Sequence, residues 1–127
     1  MAYDDTNVFA RILRGEIPCN KVYEDDYALA FHDIRPLAPV HVLVIPKGPY
    51  ESLDDLTHEA SPEFISGFFR AVGETARVVG VDDAGYRILA NIGRDGHQEV
   101  MHFHVHIFGG RPLGAMLKRA EPDEGGR

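Results

Sequence analysis

The chain has 127 residues, 44% hydrophobic and 26% charged, which suits one globular domain and excludes a disordered chain. A formal net charge of -7 speaks against general attraction to nucleic acid or to an anionic membrane, both of which need a positive surface, so an anionic ligand must find local donors. Cys19 is the only cysteine, no run of about 18 apolar residues exists to cross a membrane, and the acidic opening MAYDDTN lacks secretory-signal character, so a cytoplasmic protein without an intrachain disulfide is expected.

Asp5 or Thr6 can cap a first helix by accepting from the free N–H groups of its first turn. Val8, Phe9, Ile12 and Leu13 follow at helical spacing, and Gly15 and Pro18 stop it, which predicts a helix over residues 6–14. Residues 20–33 read as a hairpin, with Val22 and Tyr23 on the first strand, an acidic turn at Asp25 and Asp26, and a second strand from Tyr27 to His32 that ends at Asp33. IRPLAP is an irregular connection, and the β-branched VHVLVI is a strand ended by Pro46, with His41 on the side of Leu43 and Ile45. From Gly48 to Ala60 no period is sustained, so this stretch reads as loop with at most one helical turn. Ser61 and Pro62 start the main helix, which is predicted to run to Gly80 with Phe64, Ile65, Phe68, Val72, Ala76 and Val79 on one stripe. Asp82 to Gly85 is a turn, YRILAN a strand and IGRDGH a loop. RPLGAML reads as an ordered tail and EPDEGGR as a frayed one. Five strands joined mostly by short connections, with two segregated helices, make an α+β domain with a mainly antiparallel sheet.

The chemistry concentrates in QEVMHFHVHIFGG, Gln98 to Gly110. Read as one strand, it sends His102, His104 and His106 to one face and Met101, Phe103, Val105 and Ile107 to the other. Three readings compete for the histidines: a strand that merely contains them, a metal site, and nucleophilic catalysis. Two histidines at i and i+2 can share a zinc ion, but the outer pair of three lies roughly 13 Å apart along a strand. Cys19, His41, His97 and Glu99 are the other candidate ligands, with no CxxC or HExxH pattern behind them. A neutral imidazole attacking an electrophile while its neighbours hold its tautomer fits the spacing best, so no metal or cofactor is expected.

HFHVHIFGG, preceded by a strand ending in Asn91 and a loop ending in GHQE, resembles the signature of the histidine triad nucleotide-binding family, in particular its Hint branch. NVFARILRGEIP resembles that family's opening helix, YALAFHDIRPLAPVHVLVIP its nucleoside-binding segment and GGRPLGAML the tail of its bacterial members. The resemblance implies a single domain of this type over residues 1–118, a flexible tail over 119–127, and a homodimer in which long helices and sheets of two protomers pack together. It implies His104 as the nucleophile that attacks the α-phosphorus of a purine nucleotide, with His102 in support. The nitrogen of His104 that does not attack must carry a proton and be held, as by a backbone carbonyl near His102.

By the same resemblance His106 contacts phosphate through a charge-assisted hydrogen bond, His41 is a further phosphate-site histidine, and Asn91 donates to phosphate or leaving group. Asp33 can accept both ribose hydroxyls. Phe9, Ile12, Phe31, Ile34 and Leu43 match the base pocket, although apolar residues at such positions are commonly plain core. Glu99 stands where eukaryotic members place a phosphate-contacting serine, and a carboxylate there repels phosphate unless turned away or protonated. His97 stands in place of a glycine and Met101 in place of an aromatic residue, and with no tryptophan in the chain the eukaryotic C-terminal tryptophan contact is absent.

The leading reading is therefore hydrolysis of the P–N bond in purine nucleoside 5′-phosphoramidates through a covalent nucleotidyl-histidine. A dinucleoside polyphosphate or adenylylated species is an alternative substrate for the same site. A nucleotide- or metal-binding interaction module with little catalysis is the alternative from another class.

Overall fold

The computed structural model describes residues 2–117, so the end of the implied domain at 118 and the tail at 119–127 lie outside the described residues. The first helix, α1, spans Val8–Leu13 and is shorter than the predicted 6–14. Its cap is Asn7 rather than the expected Asp5 or Thr6: the Asn7 side-chain oxygen accepts from Ala10 N at 2.8 Å, while the Thr6 hydroxyl is turned back to Asp4, to whose Oδ1 it donates at 2.6 Å. Gly15 takes the expected left-handed conformation with φ of 79°.

The hairpin forms as predicted, from β1 (Lys21–Glu24) and β2 (Ala28–His32). Asp25 closes its turn by accepting from Tyr27 N at 2.8 Å and Ala28 N at 2.9 Å. The third strand, β3, runs Val40–Pro46. A helix then forms where a loop was expected: α2, Leu53–Glu59, makes three helices rather than two. Ser52 and Asp55 close a reciprocal capping box, and Leu56 is fully buried beneath it, so two local bonds and one anchor replace the missing apolar stripe.

The main helix, α3 (Pro62–Val78), starts as predicted at Ser61 but ends before Gly80, which instead adopts the left-handed position beyond the helix with φ of 76°. Two further strands follow, β4 (Arg87–Leu89) and β5 (Val105–Gly109), both shorter than expected. The sheet has the order β1-β2-β3-β5-β4 and every neighbouring pair is antiparallel.

Alternation along the strands divides the interior in two. Ala28, Ala30, Val42, Val44, Val105 and Ile107 join Phe68, Ala71, Val72 and Ala76 of α3 on one face. Leu29, Phe31, Leu43 and Ile45 point to the opposite face and are covered by Phe9 of α1. Burying a residue such as Phe68 contributes about 1.5–3 kcal/mol, so α3 clamps one side of the sheet and leaves the other for chemistry. No described helix is long and apolar enough to cross a membrane.

The histidine segment departs most from its expected form. Only Val105–Gly109 is strand, and residues 98–104 approach it as irregular backbone. The segment is pinned instead by Phe103 N donating to Tyr50 O at 2.8 Å and by the buried Gln98 side chain, which donates to Glu51 O and Val100 O. Phe103, Val105 and Ile107 still enter the α3 core, but Met101 is 37% exposed, because the irregular entry breaks the alternation before it reaches that residue.

Candidate functional site

On the sheet face opposite α3, a cavity of about 820 Å³ opens between α1, the β2–β3 connection and the histidine segment, a volume suited to a nucleotide-sized ligand. Its lining gathers Phe9, Ile12, Phe31, Asp33, Ile34, His41, Leu43, Asn91, Glu99, His104 and His106. Of the residues expected from the sequence, only His102 lies outside this lining, 1% exposed. Ile34 sits at the rim and is 92% exposed, whereas Phe9, Phe31 and Leu43 form a buried apolar wall.

Hydrogen bonding fixes the tautomer of each histidine in turn. His102 Nε2 lies 3.0 Å from the Pro46 carbonyl, which can only accept, so Nε2 carries the proton. His102 Nδ1 is therefore an acceptor, and the Tyr3 hydroxyl donates to it. His104 Nδ1 lies 2.7 Å from the carbonyl of His102 itself, so His104 donates through Nδ1 and keeps a free lone pair on Nε2. The proton on His104 Nδ1 is thus held by a backbone carbonyl, that of His102.

A second chain begins at Leu37 N, which donates to His41 Nδ1 at 3.1 Å. His41 Nε2 must then carry the proton and donates to His106 Nδ1 at 3.0 Å, which leaves the proton of His106 on Nε2. That nitrogen is the one buried side-chain polar atom without a partner among the described residues. The site thus presents a lone pair on His104 and an unused N–H on His106, with ring centroids 5.1 Å apart. Phe108 stacks on His106 at 5.5 Å with an interplanar angle of 3° and packs against His41 at 4.2 Å.

Burial disfavours the charged form of all four rings. It pushes His102 and His106 down to about 4 and lowers His41 and His104 as well, while the neighbouring ring of His104 depresses His106 further. His106 therefore presents a neutral N–H, which toward an anionic phosphate still makes a charge-assisted hydrogen bond, the charge lying on the acceptor.

Asp33 follows β2 directly. Its Oδ1 accepts from Arg35 N at 2.8 Å and its Oδ2 lies 3.5 Å from His41 Nε2. At the cavity mouth, Glu99 lies 3.4 Å from His97 and both side chains are largely exposed, so solvent screens the carboxylate, although it lines the cavity and its charge favours the protonated form of His104. His97 has φ of 61°, the left-handed region in which a glycine is at ease, which accords with its standing where the resemblance places one.

Asp33, His41 and His106 could form a metal site, since one ligand atom from each lies within 4.8 Å of the others. The second nitrogen of His41 argues against it. A metal on Nε2 requires a proton on Nδ1, yet Nδ1 faces the Leu37 N–H, a donor, where metal-binding histidines face an acceptor.

Residues 14–113 match the HIT domain. The chain belongs to this family. It is 60% identical over 117 residues to an uncharacterized 13.2 kDa HIT-like protein of Azospirillum brasilense, covering 92% of this chain and 96% of the relative. It is 40% identical over 113 residues to the purine nucleoside phosphoramidase of Escherichia coli strain K12, covering 89% and 94%. The structure of a histidine triad protein from Clostridium difficile superimposes with a TM-score of 0.81 at 41% identity, covering 90% of this chain and 98% of that one. The matched HIT domain takes in the cavity's histidines but starts after α1 and its cap.

Phe108, Tyr3 and the backbone groups of Leu37 and Pro46 are not among the residues expected at the site, yet all four contact its histidines. Phe108 was signalled, because the period-two alternation of His104 and His106 continues to it. Tyr3 had no local signal: its contact with His102 spans 99 residues.

Proposed function

We propose that the protein is a nucleotide hydrolase that cleaves the P–N bond of purine nucleoside 5′-phosphoramidates through a nucleotidyl-histidine at His104. The observation that carries this reading is the 2.7 Å bond from His104 Nδ1 to the His102 carbonyl, which leaves a neutral nucleophilic Nε2 in a nucleotide-sized cavity. The phosphoramidase of Escherichia coli, at 40% identity, supports the substrate class.

In this reading the His104 Nε2 lone pair forms a bond to the α-phosphorus as the P–N bond breaks and its electron pair departs on the amine. Water then attacks phosphorus and His104 recovers its lone pair. In net terms water supplies the hydroxyl of the monophosphate and the proton of the amine. The unused N–H of His106 donates to a phosphoryl oxygen and stabilises charge developing there. Asn91 donates beside it, Asp33 accepts the ribose hydroxyls, and Phe9, Ile12, Phe31, Ile34 and Leu43 hold the base. His41 acts through His106.

Rapid quenching with a labelled adenosine 5′-phosphoramidate tests the reading. Label is expected on His104 within the first turnover. His104→Ala is expected to lose turnover by about 10³-fold or more and to bind adenosine monophosphate as before. Full turnover in that variant would remove His104 from the nucleophile role.

We also infer a homodimer. Among the described residues no strand pairs with the outer edge of β4, and Tyr86, Ile88 and Leu89 beside that edge are 41%, 49% and 37% exposed. Sedimentation at micromolar concentration is expected to give a dimer, and a monomer alone would contradict it.

A further inference from the structure

We propose that Tyr3 is a positioning residue for this site: its hydroxyl donates to His102 Nδ1 and holds that ring, and through the His102 carbonyl the His104 ring, in a single orientation. The inference rests on the hydrolase reading of His104 and adds a residue outside the matched HIT domain.

The direction of every bond in the chain is determined. Ala10 N–H donates to Asn7 Oδ1 at 2.8 Å, which assigns the oxygen of that side-chain amide and leaves Nδ2 as the donor to Tyr3 Oη at 2.9 Å. The Tyr3 hydroxyl proton is then free for His102, whose Nδ1 must accept because its Nε2–H is committed to Pro46 O. The Tyr3 ring meets that of His102 edge-on at 5.7 Å and 72°. Asn7 thereby joins the cap of α1 to the histidine segment.

The hydroxyl matters because of where His102 lies. This residue precedes β5, in irregular backbone without strand pairing, yet its carbonyl is the acceptor that sets the His104 tautomer. Two bonds on opposite nitrogens, to Tyr3 and to Pro46, admit one ring orientation; one bond alone leaves the buried ring less constrained. Without the hydroxyl, the Nδ1 lone pair of a side chain 1% exposed would have no donor. A purely structural tyrosine would stabilise the fold and leave the chemical step of the folded enzyme unaffected.

Tyr3→Phe separates these cases, because it keeps the ring and removes only the hydroxyl, and Asn7 Nδ2, which loses that acceptor, keeps its bond to the Asp4 carbonyl at 2.8 Å. The full chain with this substitution is expected to turn over adenosine 5′-phosphoramidate with kcat reduced roughly three- to tenfold and KM unchanged, the scale of one lost ordering hydrogen bond. In 15N-detected imidazole spectra, His102 Nδ1 is expected to shift toward the position of an acceptor without a donor. Asn7→Asp retains the helix cap but turns the donor to Tyr3 into an acceptor that draws the hydroxyl away from His102, so it is expected to move kcat and the resonance in the same directions. An unchanged kcat in folded Tyr3→Phe overturns the proposal, as does a lower kcat with the His102 resonance unmoved or a change confined to KM. An unaltered protein that fails to hydrolyse the phosphoramidate sinks the hydrolase reading itself, whereas normal turnover that Tyr3→Phe does not slow sinks this inference alone.

Discussion

His41 Nε2 lies 3.0 Å from His106 Nδ1, and because Leu37 N–H already occupies His41 Nδ1, the proton between the two rings belongs to His41. His41 is thus a tautomer lock for the unused Nε2–H of His106. Replacing it with an apolar residue of similar bulk frees His106 to move its proton to Nδ1, which would leave Nε2 unable to donate to phosphate. His41→Leu is expected to lower kcat/KM for a phosphoramidate about tenfold or more while the fold persists. Steady-state kinetics alongside a thermal melt decide it; a loss within twofold would mean that His106 needs no lock.

Four imidazoles whose charged form burial disfavours, His41, His102, His104 and the half-buried His106, also tie folding to pH. Each has a folded pKa depressed below its unfolded value of about 6.5, so the unfolded chain binds more protons as pH falls. The stability associated with them is present above pH 6.5 and is lost as pH falls toward 4, the value to which His102 and His106 are pushed. His102 alone accounts for roughly 3 kcal/mol across that window. Urea unfolding at successive pH values should show a steep decline between 6.5 and 4, and a flat profile there would place water around these rings.

What could be read from the sequence follows physical range. The alternation of Val42 and Val44 against His41, Leu43 and Ile45 sorted the two sheet faces correctly, because a strand's period is a local property. The same rule overextended the histidine strand, because residues 98–104 are held by the Gln98 side chain and Tyr50 O rather than by strand pairing. Helix α2 has no apolar periodicity to mark it, and its one local signal is the capping pair Ser52 and Asp55, three residues apart. For the site, residue type and spacing brought out the three histidines, and the resemblance added Asp33. The proton positions depended on Pro46 O, Leu37 N and Tyr3, contacts across turns and across the whole chain.

His97 offers a test of backbone strain. Its φ of 61° lies in the left-handed region, its side chain is largely exposed, and it pairs with Glu99 at 3.4 Å. An exposed pair of this kind contributes little, whereas a side chain in that conformation is strained by about 1 kcal/mol or more. Glycine relieves the strain and gives back part of the gain through a more flexible unfolded chain. His97→Gly is expected to stabilise the protein by about 0.5–1 kcal/mol, read as a higher denaturant midpoint. A lower midpoint would show that the His97 side chain holds the loop at the cavity mouth.

Asp33 tests how the sugar is read. One carboxylate oxygen is used by Arg35 N at 2.8 Å, and the other has only His41 at 3.5 Å, beyond a strong hydrogen bond, so it retains accepting capacity toward the cavity. A ribose that donates two hydroxyls satisfies that capacity, while a 2′-deoxyribose leaves part of it unpaired. The unaltered protein is therefore expected to favour a ribonucleoside over a 2′-deoxyribonucleoside phosphoramidate by roughly tenfold in kcat/KM. Asp33→Ala should slow both substrates and bring their ratio close to one, since the acceptor that tells them apart is gone. If the variant keeps the tenfold preference, the sugar is recognised elsewhere in the cavity and Asp33 serves the turn that its bond to Arg35 closes.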